Sequence, residues 1–135
     1  MSILAALRES PADLSRASAF TWMSGVFYLA TGVLVMAWPG VAQTLMQDPD
    51  FVGREAALFR VLGMCVAVIG WLYIFGGRSG GRQFVAATVM DRVVLVPLVL
   101  VPTAVAGVIP HTLLLFAVAD PALALVSWFL LSRRR

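Results

Sequence analysis

Long apolar runs separated by short polar breaks dominate this chain. Four runs are long enough to cross a bilayer as helices, because about 20 apolar residues span a hydrocarbon core of roughly 30 Å. They cover 20–38, 56–75, 84–106 and 112–131. The first is uncharged, with Trp22 and Trp38 near its ends, where an aromatic belt forms. Pro39-Gly40 ends it. Trp71 and Tyr73 mark the far end of the second run. The third contains Pro97 and Pro102, which free the carbonyls of Val93 and Leu98, so a kinked or bent helix is expected. In the fourth, Pro121 follows Asp120 directly. The pattern predicts an all-α fold: a single integral membrane domain over residues 1–135, built as a four-helix bundle.

The polar breaks add detail. Ile3, Leu4, Leu7 and Leu14 fall on one side at helical spacing, which predicts a short N-terminal segment lying in the membrane interface. Ser10-Pro11-Ala12-Asp13 reads as a helix start, so the first spanning helix is expected to begin at Pro11. Met1 to Leu7 is too short for the apolar core of a cleaved signal. Val41 to Gln47 predicts a short amphipathic turn, and Asp48-Pro49-Asp50 a chain reversal. Two carboxylates beside a proline fall short of the six or more oxygens calcium takes, so no metal site is expected. Gly76 to Arg82 reads as a tight, flexible loop. It lacks the GK[ST] ending of a phosphate-binding loop. Its Arg78 and Arg82 are candidates to hold a lipid headgroup, or plain topology anchors. Gly25 and Gly32 lie two turns apart and permit close helix contact.

Composition rules out a soluble domain, with 61% hydrophobic residues and only 13% charged ones. The net charge of +3 comes from arginines alone and reads as topological rather than as a nucleic-acid footprint. Seven loop and terminal arginines (Arg8, Arg16, Arg78, Arg82, Arg133, Arg134 and Arg135) fall on one side, with Arg54 alone opposite. The positive-inside rule then places both termini in the cytoplasm, as in a bacterial inner-membrane protein. Cys65 has no partner for a disulfide and reads as a small packing residue. His111, the single histidine, cannot supply bis-histidine haem ligation. It reads as an exposed interfacial residue, with a pH-sensing role as the alternative. No cofactor is expected.

Candidate chemistry is confined to charges inside the apolar runs. Asp91 and Arg92 are adjacent, Asp120 lies mid-helix, and Arg60 one turn into the second run. At 1.5 Å per residue, Asp91 and Arg92 lie about 11–12 Å from one edge, Asp120 about 12 Å from the other, and Arg60 about 6 Å deep. Arg60, Asp91, Arg92 and Asp120 sum to zero charge, which suits a structural ion-pair network. The functional alternative is a mid-membrane polar site for a proton, an ion or a ligand head group. Neighbours about 100° apart on a helix cannot both face one partner, so Asp91 and Arg92 need separate ones.

Phe59-Arg60, Gly63, Gly70 and Tyr73, then Thr88-Val89 and Arg92, then Pro110, Leu113-Leu114 and Asp120 resemble small bacterial four-helix inner-membrane proteins of the DoxX-like kind, over residues 55–125. The resemblance implies a four-helix membrane bundle, some of whose relatives accompany membrane redox enzymes. It carries over no catalytic residues.

The leading functional expectation is a non-enzymatic protein that binds a hydrophobic, lipid-like molecule or partners another membrane protein. The alternatives are a small transporter or channel using the Asp/Arg cluster, as a homo-oligomer, and a membrane isomerase acting on a lipid-like substrate with Asp91 or Asp120 as acid or base. An open cavity at the acidic residues favours the alternatives. A dry, paired cluster favours the first.

Overall fold

In the computed structural model, residues 14–133 are described. Four helices are long and apolar enough to cross a membrane: Arg16–Ala37, Glu55–Arg78, Arg82–Val105 and Pro110–Ser132. No strand occurs among the described residues. The fold is an all-α four-helix bundle with the character of an integral membrane protein. In chain order the helices are α1 (Arg16–Ala37), α2 (Val41–Met46), α3 (Glu55–Arg78), α4 (Arg82–Met90), a π-helical turn (Asp91–Leu95), α5 (Val96–Val105) and α6 (Pro110–Ser132).

Burial is inverted relative to a water-soluble bundle. Large apolar side chains such as Met23, Phe27, Leu72, Leu98 and Val118 face outward, while Ala17, Ala42, Ala67, Ala117 and Ala124 are buried. Lipid is as apolar as leucine, so no hydrophobic force draws large side chains inside. Small residues are buried instead, because they let backbones approach and gain dispersion contacts.

The closest approach is between α1 and α3, which run antiparallel. Ser18, Gly25 and Gly32 on α1 meet Gly77, Gly70 and Gly63 on α3. A methyl group on Gly25 would sit 2.6 Å from the Ile74 backbone nitrogen, and one on Gly70 would sit 2.7 Å from the Gly25 carbonyl oxygen. One on Gly77 would sit 2.7 Å from the Trp22 nitrogen. Only glycine fits at such separations. The seven-residue spacing keeps the small residues on one seam, as in a left-handed coiled pair.

This seam corrects two expectations. The second spanning helix continues through Gly76, Gly77 and Arg78, and the loop is only Ser79–Gly81. Contact with α1 at Gly77, and with the Phe84 ring of α4 at Gly76, holds the two glycines helical despite their poor propensity. Cys65 lies exposed on the outer face of α3 rather than packed within. The start of the first span also differs. Leu14 and Ser15 are not helical, and α1 begins at Arg16 with Ser15 as its N-cap, its hydroxyl oxygen accepting from the Ser18 N–H at 3.0 Å. The Ser10-Pro11 signal and the interfacial segment up to Asp13 lie outside the described residues.

The third span does not break at its prolines. It widens by one residue into a π turn at Asp91–Leu95, where the Val96 N–H donates to the Asp91 carbonyl. Pro97 follows, and its ring would collide with the Val93 carbonyl in a regular α-helix; the wider turn makes room for it.

The connection to the last span carries a long-range contact. Ile109, the N-cap of α6, has a left-handed backbone (φ 34°) and no side-chain capping group. Asp48 caps the helix from the other loop. Its carboxylate accepts from the His111 N–H at 2.8 Å and the Thr112 N–H at 3.0 Å. The His111 ring Nδ1 lies 3.2 Å from the same carboxylate. Gln47, left-handed at φ 56°, ends α2 and turns Asp48 towards α6. Burial alone would raise the Asp48 pKa. The Thr112 side chain, the two backbone N–H groups and the His111 charge outweigh burial and lower it.

The seam and the cap can each be tested by substitution. Gly70→Ala forces the α1 and α3 backbones apart and should lower the unfolding midpoint in detergent, by about 1–3 kcal/mol for overpacking. Gly81→Ala, where the nearest atom is the Ser79 Oγ at 3.6 Å, should have a much smaller effect. Asp48 has a depressed folded-state pKa, so its stabilisation is present above its unfolded value of about 3.9 and is lost as pH falls below that. Asp48→Ala should cost on the order of 1–2 kcal/mol at neutral pH and flatten the acid limb of a stability–pH curve.

Candidate functional site

The polar centre of the bundle forms around Arg92, the largest fully buried side chain, only 1% exposed. Arg92 belongs to the π turn, where the extra residue per turn changes which side chains face inward. Its guanidinium carbon lies 4.6 Å from the Tyr73 ring centre and 5.2 Å from that of Tyr28. The two rings meet edge-to-face at 5.6 Å. Each tyrosine sits in the same local pattern, Gly25-x-x-Tyr28-x-x-x-Gly32 on α1 and Gly70-x-x-Tyr73-x-x-x-Gly77 on α3. The glycine seam therefore brings both rings to one place.

Arg92 and Asp120 form the ion pair, with Nε and Oδ1 3.7 Å apart. That is within Coulombic reach and beyond hydrogen-bond length. Among the described residues, none of the three guanidinium nitrogens has a hydrogen-bond partner, and neither does Asp120 Oδ1 or the Tyr28 hydroxyl. The cation is held by two aromatic faces and one carboxylate. Asp91, its neighbour in sequence, is half-buried and lines a cavity.

Of the four charges in the apolar runs, the structure thus brings three together. Arg60 is exposed on α3 and forms no ion pair among the described residues. The α3 face that turns inward carries Phe59, Gly63, Ala67, Gly70 and Tyr73, and Arg60 lies off it. One turn from the helix start, its side chain can reach the membrane surface. Without Arg60, the central charges no longer cancel. Arg78 is half-buried at the end of α3 and Arg82 is exposed at the start of α4, with no ion pair at either among the described residues. Tyr73, which the sequence reads as marking the far end of the second span, is 7% exposed and belongs to the centre. Sequence reasoning does not pick out Tyr28 or Asp48 as site residues. For Tyr28 a signal exists, the repeated Gly-x-x-Tyr-x-x-x-Gly spacing.

A cavity of about 520 Å³ adjoins this centre. It extends along α3 from Phe59 to Tyr73, roughly 21 Å at 1.5 Å per residue. α2 contributes Val41, Ala42 and Leu45 at one end, and Tyr28, Asp91 and Asp120 lie at the other. Nearly all of the wall between is apolar. Leu62 and Ile69 of α3, with Leu95 of the π turn and Val99 of α5, line it and are also exposed, so it opens sideways between the second and third spans. That gap exists because α3 meets the second helix pair chiefly through α4, while α1 bridges to α6. No group of three or more metal-binding side chains occurs among the described residues.

Neither a family model, nor a curated protein, nor a solved structure matches this chain. Its chemistry rests on its own residues.

Asp120→Ala leaves a buried arginine uncompensated and should lower stability in detergent by about 3–5 kcal/mol. Asp120→Ala with Arg92→Met removes both charges and should recover part of that loss. A double variant no more stable than the single one would show that the two side chains are not energetically coupled.

Proposed function

We propose that this protein binds a lipid-like amphiphile, with its chain in the apolar cavity and its head group at the Asp91/Asp120/Tyr28/Tyr73 end. The observation that carries this reading is the shape of the cavity: long, largely apolar, open to the side, and lined by charged side chains at one end only. A molecule already in the bilayer would enter between the second and third spans without crossing water. Its chain would exchange one apolar surrounding for another. Affinity and selectivity would therefore come from the polar end, where a matched head group meets buried partners.

A second reading, transport of such a molecule, gains support from one feature. The cavity reaches Asp91 and Asp120 rather than stopping short of them. A dry, fully paired cluster would have favoured a purely structural role. The cavity lies within one chain, so this reading does not require a pore between copies. Isomerisation rests on the same two carboxylates and no further observation. A membrane-protein partner, a homo-oligomer, and the likeness to DoxX-like proteins remain proposals consistent with a four-helix bundle. We also place the protein in a bacterial inner membrane with both termini cytoplasmic, on the arginine distribution.

The test is native purification into lipid discs followed by mass spectrometry of the extracted lipids. One amphiphile should be enriched over discs lacking the protein, at close to one per chain. Val66→Trp fills the cavity wall and Val99→Trp its rim; both should reduce that enrichment. Retention of the same molecule at the same level by both variants would remove the cavity from consideration.

A further inference from the structure

The head-group end of the cavity is a charge-unbalanced site. Three ionisable side chains of the apolar spans meet there: Asp91 and Arg92 from the π turn, and Asp120 from α6. The other titratable groups facing them among the described residues are Tyr28 from α1 and Tyr73 from α3. α2 contributes no ionisable group to the cavity wall, and Arg60 lies outside the cluster. The site thus holds two carboxylates and one guanidinium, and only Asp120 lies within ion-pair distance of that guanidinium among the described residues. An excess negative charge inside a bilayer costs several kcal/mol unless a proton or a bound cation neutralises it.

The arrangement also decides which charge a ligand would meet. Asp91 and Asp120 line the cavity; Arg92 is not part of its wall and lies behind it, against the tyrosine faces. Asp120 is 8% exposed and Tyr28 6%, and each keeps an oxygen without a hydrogen-bond partner. From inside the cavity the polar end is therefore two carboxylates and two phenols. An anionic head group would meet repulsion there. A zwitterionic one would bring a phosphate beside the carboxylates and leave the net charge unchanged. A head group carrying a single positive charge would balance the site, with the rings of Tyr28 and Tyr73 adding aromatic surface.

We propose that the cavity selects amphiphiles with a net positive, ammonium-type head group. This rests on the amphiphile-binding reading above and specifies the chemistry of its ligand.

The probes are three single-chain amphiphiles of equal chain length: dodecyltrimethylammonium, dodecylphosphocholine and dodecanol. Saturable binding is measured to the protein in lipid discs, below the amphiphiles' micellar concentrations, with empty discs subtracted. The cation should bind about tenfold or more tighter than either neutral probe. Asp120→Asn and Asp91→Asn should each weaken cation binding about tenfold while leaving dodecanol binding within about twofold. Retained dodecanol binding shows that the variant cavity is folded; the half-buried Asp91 provides a second variant should Asp120→Asn unfold. Equal affinity for all three probes would overturn the cationic assignment and leave the amphiphile reading standing. Absence of saturable binding by any probe would overturn both.

Discussion

A guanidinium sealed inside a membrane bundle is the constraint on which the rest of this structure depends. Arg92 cannot snorkel to either surface from mid-span, so the protein must solvate it from within. A carboxylate at 3.7 Å does not suffice, because desolvating two charges can cost more than their attraction returns. Two tyrosine faces supply the remainder, each worth up to about 2 kcal/mol when desolvated. Both rings must then reach one point from two different helices. This requires the α1 and α3 backbones to approach until only glycine fits between them. The glycine seam, the tyrosine pair and the buried arginine form one dependent series.

The series leaves the bundle asymmetric. α1 and α3 are packed along their full length, and α6 packs against α4 and α5. The two pairs touch through α1 with α6 and through α4, so the space between α3 and α5 stays open. The cavity is this unfilled space. The Asp48 cap ties the loop after α2 to the start of α6 and so holds α2 over one end. At the other end, the π turn presents Asp91 to the cavity and Arg92 to the tyrosines. A regular turn would hold the two side chains at the fixed angle of an α-helix. The widened turn, placed just ahead of Pro97, relaxes that fixed angle.

Much of the fold is legible in the chain. Four apolar runs of bilayer length, broken by Pro-Gly, Asp-Pro and Gly-rich stretches, determine four helices, because backbone groups in hydrocarbon must be satisfied within their own segment. The high cost of charge in lipid likewise marks Asp91, Arg92 and Asp120 as central from residue type and position alone. Depth along the spans puts Asp120 within reach of Arg92 and of Arg60 alike. Only the tertiary structure decided between them. Helix rotation about its axis turns Arg60 outward, and depth carries no information on rotation. Tyr73 sits at a belt-like depth and faces the centre for the same reason. Asp48 is not recognisable from the chain as the cap of a helix more than sixty residues away, since the contact depends on loop geometry. The cavity is the least legible feature of all. It is set by how far apart two helix pairs stand, and packing distance between elements is a property of the assembled bundle rather than of any one segment.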